Sequence, residues 1–200
     1  MKNYGITAMS VGTAANFVLF LTKVYVGISS NSLAIYCDAI NNLGDTLACL
    51  TALGGFILIK KFTELQSKRA QSLVTFVISL IIAVSGFYFV YNGAERVLYP
   101  LPVSYSIKYA ILIGATIGVK ILLGLFYWVF NKKSQSPMLK AMVLDSVLDC
   151  FITLTALIGL ILVPKINFAL DGVLAVVTGI IITVSAVKNI IEQSKYLINN

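Results

Sequence analysis

Asp45–Ile59 reads DTLACLTALGGFILI, and Asp149–Val163 reads DCFITLTALIGLILV. Set against each other at an offset of 104, the two stretches share eight of fifteen residues: Asp45, Leu50, Thr51, Ala52, Leu53, Gly55, Ile57 and Leu58. Each opens on an aspartate and continues through residues that only lipid or a protein core would accept. An aspartate at the centre of a membrane helix costs about 2.5–3.5 kcal/mol on insertion scales. Two such acids in equivalent places predict a duplicated unit whose interior does something a plain core does not.

The composition around these stretches agrees. Hydrophobic residues make up 58% of the 200-residue chain and charged residues only 12%, with a mean hydropathy of +0.92. Soluble domains carry about 25% charged residues to cover their surface. This chain has too little polar material for that, so most of it must face lipid. Six stretches can each supply the roughly 20 apolar residues a span requires: 5–28, 33–59, 71–96, 106–130, 137–163 and 168–190. The reading is therefore an all-α membrane protein of six transmembrane helices. Residues 1–200 are expected to form a single transmembrane domain, without a soluble C-terminal domain. The first stretch lacks a small-residue cleavage site and is too long for a signal-peptide core.

Lysine and arginine placement sets the expected orientation. With both termini cytoplasmic, the inner segments hold Lys2, Lys60, Lys61, Lys68, Arg69, Lys132, Lys133, Lys140, Lys188 and Lys195, and the outer ones hold Arg96, Lys108 and Lys165. The net charge of +7 is then a record of topology and phospholipid contact, and a nucleic-acid partner is not expected. In this orientation helix 2 runs inward and helix 5 outward, so the internal match predicts an inverted 3+3 repeat. Such repeats place a substrate site near the midplane between the halves.

The aspartates mark that site. Asp38, Asp45, Asp145, Asp149 and Asp171 all fall within predicted spans or at their mouths. Asn41 and Asp45 are four apart in helix 2, and Asp145 and Asp149 are four apart in helix 5, so each pair shares one helix face. Helix 2 begins after Ser32, and helix 5 begins at Pro137, a favoured first residue. At 1.5 Å per residue each pair lies about 13–20 Å deep, approached from opposite sides. Lys23 and Lys120 are the two cations deep in spans, too few to neutralise four carboxylates. Folding about the Ser30–Asn31 turn brings Lys23 level with Asp38, which predicts an ion pair near the outer mouth; a relay site for metal or protons is the competing role. Lys120 has no partner obvious from sequence, with Asp171 or a site aspartate as candidates. Asp171 itself opens helix 6, where an acid suits the helix dipole.

The donor chemistry narrows the cation. The chain has no histidine. Zinc and copper sites lean on imidazole and thiolate, whereas carboxylate, amide oxygen and water suit magnesium, calcium and manganese. Three carboxylates and one amide oxygen rank manganese(II) first, with iron(II), cobalt(II) and zinc(II) behind it. Cys49, four residues past Asp45, and Cys150, beside Asp149, keep a soft ligand within reach, although buried cysteines usually only pack. The cysteines show no CxxC spacing. With no histidine, no nucleophile–base pair and no phosphate loop, the chain is not read as an enzyme, and no resident cofactor is expected.

These residues resemble the cation diffusion facilitator family of metal exporters. Ser30–Asp45, SNSLAIYCDAINNLGD, is similar to the family's second-helix signature, which implies a metal-binding role for Asn41 and Asp45. Leu139–Asp149, LKAMVLDSVLD, looks like the fifth-helix segment that supplies the second pair, Asp145 and Asp149. Asp171, in Leu170–Ala175 (LDGVLA), is similar to the acid that opens the sixth helix. Within the family, aspartate rather than histidine at the position of Asp145 goes with manganese, and asparagine in helix 2 resembles the bacterial manganese branch. The resemblance implies a secondary transporter that exports a divalent metal from the cytoplasm by proton antiport, in a bacterial plasma membrane, with a homodimer among its partners. Neighbouring carboxylates cannot all stay ionised without a cation, so protons would compete with metal for the same aspartates. Asp38, Lys23, Asp171 and Cys49 are expected around the site or its access route. The rival readings are proton-coupled transport of another cation, and a non-transporting membrane subunit whose acids pair with a partner.

Overall fold

A computed structural model describes residues 2–58, 64–134, 137–163 and 169–199. They form six helices: α1 (Lys2–Ser30), α2 (Leu33–Leu58), α3 (Glu64–Leu98), α4 (Ile107–Ser134), α5 (Pro137–Leu162) and α6 (Leu170–Asn199). Among the described residues there is no strand. Lys60, Lys61 and Lys165 of the topology reading lie outside them.

Local chemistry sets the ends. α1 stops because Asn31 adopts a left-handed backbone (φ 57°), which asparagine tolerates better than most residues. The Ser32 amide then reaches the Gly27 carbonyl at 2.9 Å and the Asn31 amide the Ile28 carbonyl at 3.2 Å. This is the paired closure that satisfies a helix's last carbonyls. Ser32 caps α2, its hydroxyl accepting from the Ile35 amide at 3.3 Å. α5 starts at Pro137, as the sequence predicts. α3 and α6 are longer than the apolar stretches suggest, beginning at Glu64 rather than 71 and running to Asn199 rather than 190. Hydropathy locates the part of a helix in lipid, while backbone hydrogen bonding carries the helix on past it.

Five helices contain spans long and apolar enough to cross a membrane: Gly5–Ser30, Lys68–Leu98, Ile107–Lys132, Leu139–Leu162 and Leu170–Ile198. The sequence reading expects six. α2 has the length, but Asp38, Asn41, Asn42 and Asp45 interrupt its apolarity. Instead it is enclosed by protein, packing on α1, α3, α5 and α6. The molecule is polar inside and apolar outside: Asn16, Lys23, Asp38, Asn42, Lys120 and Asp149 are buried, while Ile81, Val84, Tyr91 and Leu122 are exposed. That inversion identifies an integral, multi-pass membrane protein.

Two apolar clusters bracket the polar interior. At the end carrying the α1–α2 turn, Val26, Ala34, Ile35, Ile113, Ala156 and Leu160 join α1, α2, α4 and α5. At the opposite end Ala8, Met9, Leu123, Tyr127 and Leu139 join α1, α4 and α5. α3 and α6 form a separate closely packed pair and meet α2 through Leu33, Cys37, Phe89, Ala175 and Ile182. Their contact runs along glycines. A methyl group on Gly93 would come within 2.9 Å of the Gly172 carbonyl oxygen, and one on Gly179 within 3.1 Å of the Gly86 carbonyl oxygen. Small residues allow such backbone contact between membrane helices. A methyl group added at Gly114 or Gly118, four apart on α4, would meet nothing within 4 Å in this chain.

Overpacking costs about 1–3 kcal/mol at such contacts. Gly93→Ala is therefore expected to lower the midpoint of thermal unfolding in detergent, while Gly118→Ala leaves it unchanged or raised.

Candidate functional site

The polar interior is built in layers along the bundle. Asp45, Asp145 and Asp149 form a group, among the described residues, whose carboxylate oxygens all lie within 4.8 Å of one another. Oxygen ligands at 2.0–2.6 Å from a divalent cation stand about 4–5 Å apart across it, so one ion can satisfy all three. Asn41 joins them, its amide nitrogen donating to Asp149 Oδ1 at 2.5 Å; its amide oxygen is the one atom of the side chain that can ligate a cation. The four residues sit on facing sides of α2 and α5 as their spacing demands. Burial grades through the group: Asp149 is buried, Asp45 half-buried and Asp145 exposed.

Asp145 is exposed to a cavity of about 350 Å³ that also reaches Asn41, Asp45, Cys49 and Lys120. The cavity is lined further on by Thr51, Thr75, Met142 and Asn189, all toward the end opposite the α1–α2 turn. Cys49 lies in this passage, with its sulfur 4.0 Å from the Tyr127 hydroxyl. Cys37 packs in the α2–α3–α6 cluster, and Cys150 lines a separate apolar groove between α4 and α5.

Lys120 resolves a question left open by the sequence. It reaches neither Asp171 nor the bundle surface but enters the carboxylate group itself. Its ammonium donates to Asp45 Oδ2 at 2.8 Å and forms an ion pair with Asp149. Its other partners are the amide oxygens of Asn16 at 2.7 Å and Asn42 at 3.4 Å. The sequence reading missed Asn16 and Asn42. Their signal is that of any lone amide in an apolar helix, which must find a partner. One ammonium shared by two carboxylates leaves the cluster anionic.

The next layer toward the α1–α2 turn holds Lys23 and Asp38, paired at 2.9 Å and both almost wholly buried. This is the ion pair expected from their equal distance to the turn. Lys23 also donates to the Thr153 hydroxyl at 2.8 Å, and Thr153 in turn donates to the Asp149 carbonyl at 2.8 Å. The layer therefore closes directly over the carboxylate group.

Asp171 lies beyond, away from the cluster. Its carboxylate accepts the Ser32 hydroxyl at 2.6 Å and the Leu33 and Ala34 amides at 2.9 and 3.3 Å. The expected acid at the start of α6 is thus an anion seated on the N-terminus of α2, where the helix dipole favours it. Arg96 completes the arrangement, pairing with Asp171 at 2.9 Å and donating to the Asn31 carbonyl at 2.6 Å and its side-chain oxygen at 2.8 Å.

The model of the cation efflux transmembrane domain matches residues 9–198. The chain belongs to the cation efflux family. Members of this family are transporters of divalent metal cations, not enzymes. Metal tolerance protein 3 of Oryza sativa subsp. japonica is 25% identical over 210 residues, covering 96% of this chain and 48% of the relative. Metal tolerance protein 4 of the same organism is 25% identical over 187 residues, covering 84% and 44%. Magnetosome protein MamM of Paramagnetospirillum magneticum is 30% identical over 89 residues, covering 42% and 28%. The chain spans about half the length of the metal tolerance proteins it matches, and the matched cation efflux domain carries every residue of the layered interior.

Removing one member of a buried ion pair costs about 3–5 kcal/mol, because the other charge stays buried alone. Lys23→Met should therefore destabilise the protein strongly in a detergent unfolding assay. Lys23→Met combined with Asp38→Leu should recover most of that loss.

Proposed function

We propose that this protein is a secondary transporter that exports manganese(II) from the cytoplasm, with Asn41, Asp45, Asp145 and Asp149 as its transport site. The observation that carries this reading is the convergence of three carboxylates from α2 and α5 with an amide at the same depth. Manganese is favoured by the donor set, which is oxygen-rich and free of imidazole. Iron(II) and cobalt(II) rank behind it, then zinc(II). The names of the metal tolerance relatives are consistent with metal as the substrate.

The excess of basic residues places the cavity mouth on the cytoplasmic side. Metal would then enter past Asn189, Met142 and Thr51, meet Asp145 first, and settle between Asp45 and Asp149. The way out is barred by Lys23, Asp38 and Thr153, and beyond them by the Asp171–Arg96 clamp on the α1–α2 turn. In the transport cycle the Lys23–Asp38 pair parts and the bundle tilts about the Asp171–Arg96 clamp while the cytoplasmic cavity closes. The pairing of α1 with α2, and of α4 with α5, suits helix pairs that rock against the α3–α6 pair about the midplane. Protons compete with metal at the aspartates, so an inward proton gradient drives export. α2 counts as the sixth span here, its polar face turned to the transport route.

Transport by purified protein in liposomes under a pH gradient tests this reading. Manganese(II) flux should fall to the protein-free background in Asp45→Ala and in Asp149→Ala; flux at wild-type rate in either would end the proposal. Asp145→His adds an imidazole and is expected to shift the preference measured across a metal series toward zinc(II).

A further inference from the structure

We propose that Lys120 is a tethered cation that occupies the metal site when it is empty and moves onto two amide oxygens when metal binds. This rests on the assignment of Asp45 and Asp149 as metal ligands and goes beyond it by adding an internal competitor.

The argument starts from where the ammonium sits. Lys120 is 3% exposed, on the middle of α4, and its Nζ lies against two carboxylates that the metal would use. A divalent ion cannot bind both carboxylates while the ammonium remains there, since like charges at contact repel in a site of low dielectric. Its three N–H donors outnumber the two carboxylates, and a second set of acceptors stands beside it. Asn16 Oδ1 stands 2.7 Å away and Asn42 Oδ1 3.4 Å away. Both amides are buried, at 3% and 0% exposure. The Asn42 amide is held in register, because its nitrogen donates to the Asp38 carbonyl at 2.9 Å, which leaves its oxygen facing Lys120. Four rotatable carbons let an ammonium shift by a few ångströms without moving its helix. Release from the carboxylates therefore leaves Lys120 seated on neutral acceptors rather than bare.

The charges fit this exchange. With metal bound, three ionised carboxylates are met by one divalent ion and one ammonium close by, and the loaded site is formally neutral. With metal gone, the ammonium returns, so the carboxylates are not left to face one another alone.

Manganese(II) binding to the full chain in lipid nanodiscs, read by electron paramagnetic resonance of the free ion at one fixed pH, tests the proposal. Lys120→Met removes the competitor and is expected to bind manganese(II) about tenfold more tightly, or better, than the wild type. Asn16→Leu removes the alternative seat and is expected to bind more weakly. These opposite signs separate exchange from loss of structure, which would weaken both. Equal or weaker binding by Lys120→Met overturns the proposal. Should that variant not fold, unchanged or tighter binding by Asn16→Leu overturns it instead. If neither the wild type nor Lys120→Met binds manganese(II), cobalt(II) or zinc(II), the metal-site reading fails, and this one with it.

Discussion

A carboxylate buried in hydrocarbon must be answered by a positive charge, and the whole interior of this protein is arranged around that requirement. Asp38 is answered by Lys23, Asp171 by Arg96 and the start of α2, and Asp45 with Asp149 by a single lysine. Asp145 adds a third carboxylate to that last group, and Lys120 is the one ammonium paired with the group among the described residues. The first two arrangements are balanced in charge and close the structure. The third is deficient in positive charge, and it opens to the 350 Å³ cavity. Function in the proposed reading lives in that deficiency. A transport site has to hold a cation well enough to collect it but never so well that it stays.

The balance differs from layer to layer because burial differs. Lys23 and Asp38 are both sealed, so separating them is costly, which suits a barrier. Asp45, Asp145 and Asp149 grade from solvent contact to full burial within one cluster. In the proposed reading an arriving ion gives up its hydration shell in steps, first beside Asp145 and last beside Asp149. Met142 and Tyr127 flank this path and keep it narrow.

Much of this architecture is legible in the chain before any coordinates. The four-residue spacing of Asn41/Asp45 and Asp145/Asp149 puts each pair on one face, and helix lengths bring the faces level. The Lys23–Asp38 pair follows from counting residues back from the Asn31 turn. Helix ends were less legible where α3 and α6 extend beyond lipid, because hydropathy registers the solvent and not the hydrogen-bond ladder. Two tertiary facts had no local signature. Lys120 faces the aspartates only because α4 packs on α1 and α5 in one rotational setting, and nothing in the sequence around residue 120 states that setting. Asp171 reads locally as an acid favouring its own helix, yet it caps α2 across 138 positions of chain. An anion satisfies whichever N-terminus the fold brings nearest.

The glycine-to-glycine contact of α3 and α6 carries a mechanical consequence. Backbone meets backbone at Gly93 and Gly172 and again at Gly86 and Gly179, leaving no side-chain cushion in which one helix could slip along the other. The two helices therefore behave as a single stiff spar. Arg96 on one member and Asp171 on the other grip the same hairpin between α1 and α2, so the spar is bolted at one end, and farther along it rests on α2 through apolar contacts. A lever anchored in this way concentrates its torque at the bolt, which makes those few polar contacts the natural fulcrum for any tilting of the bundle.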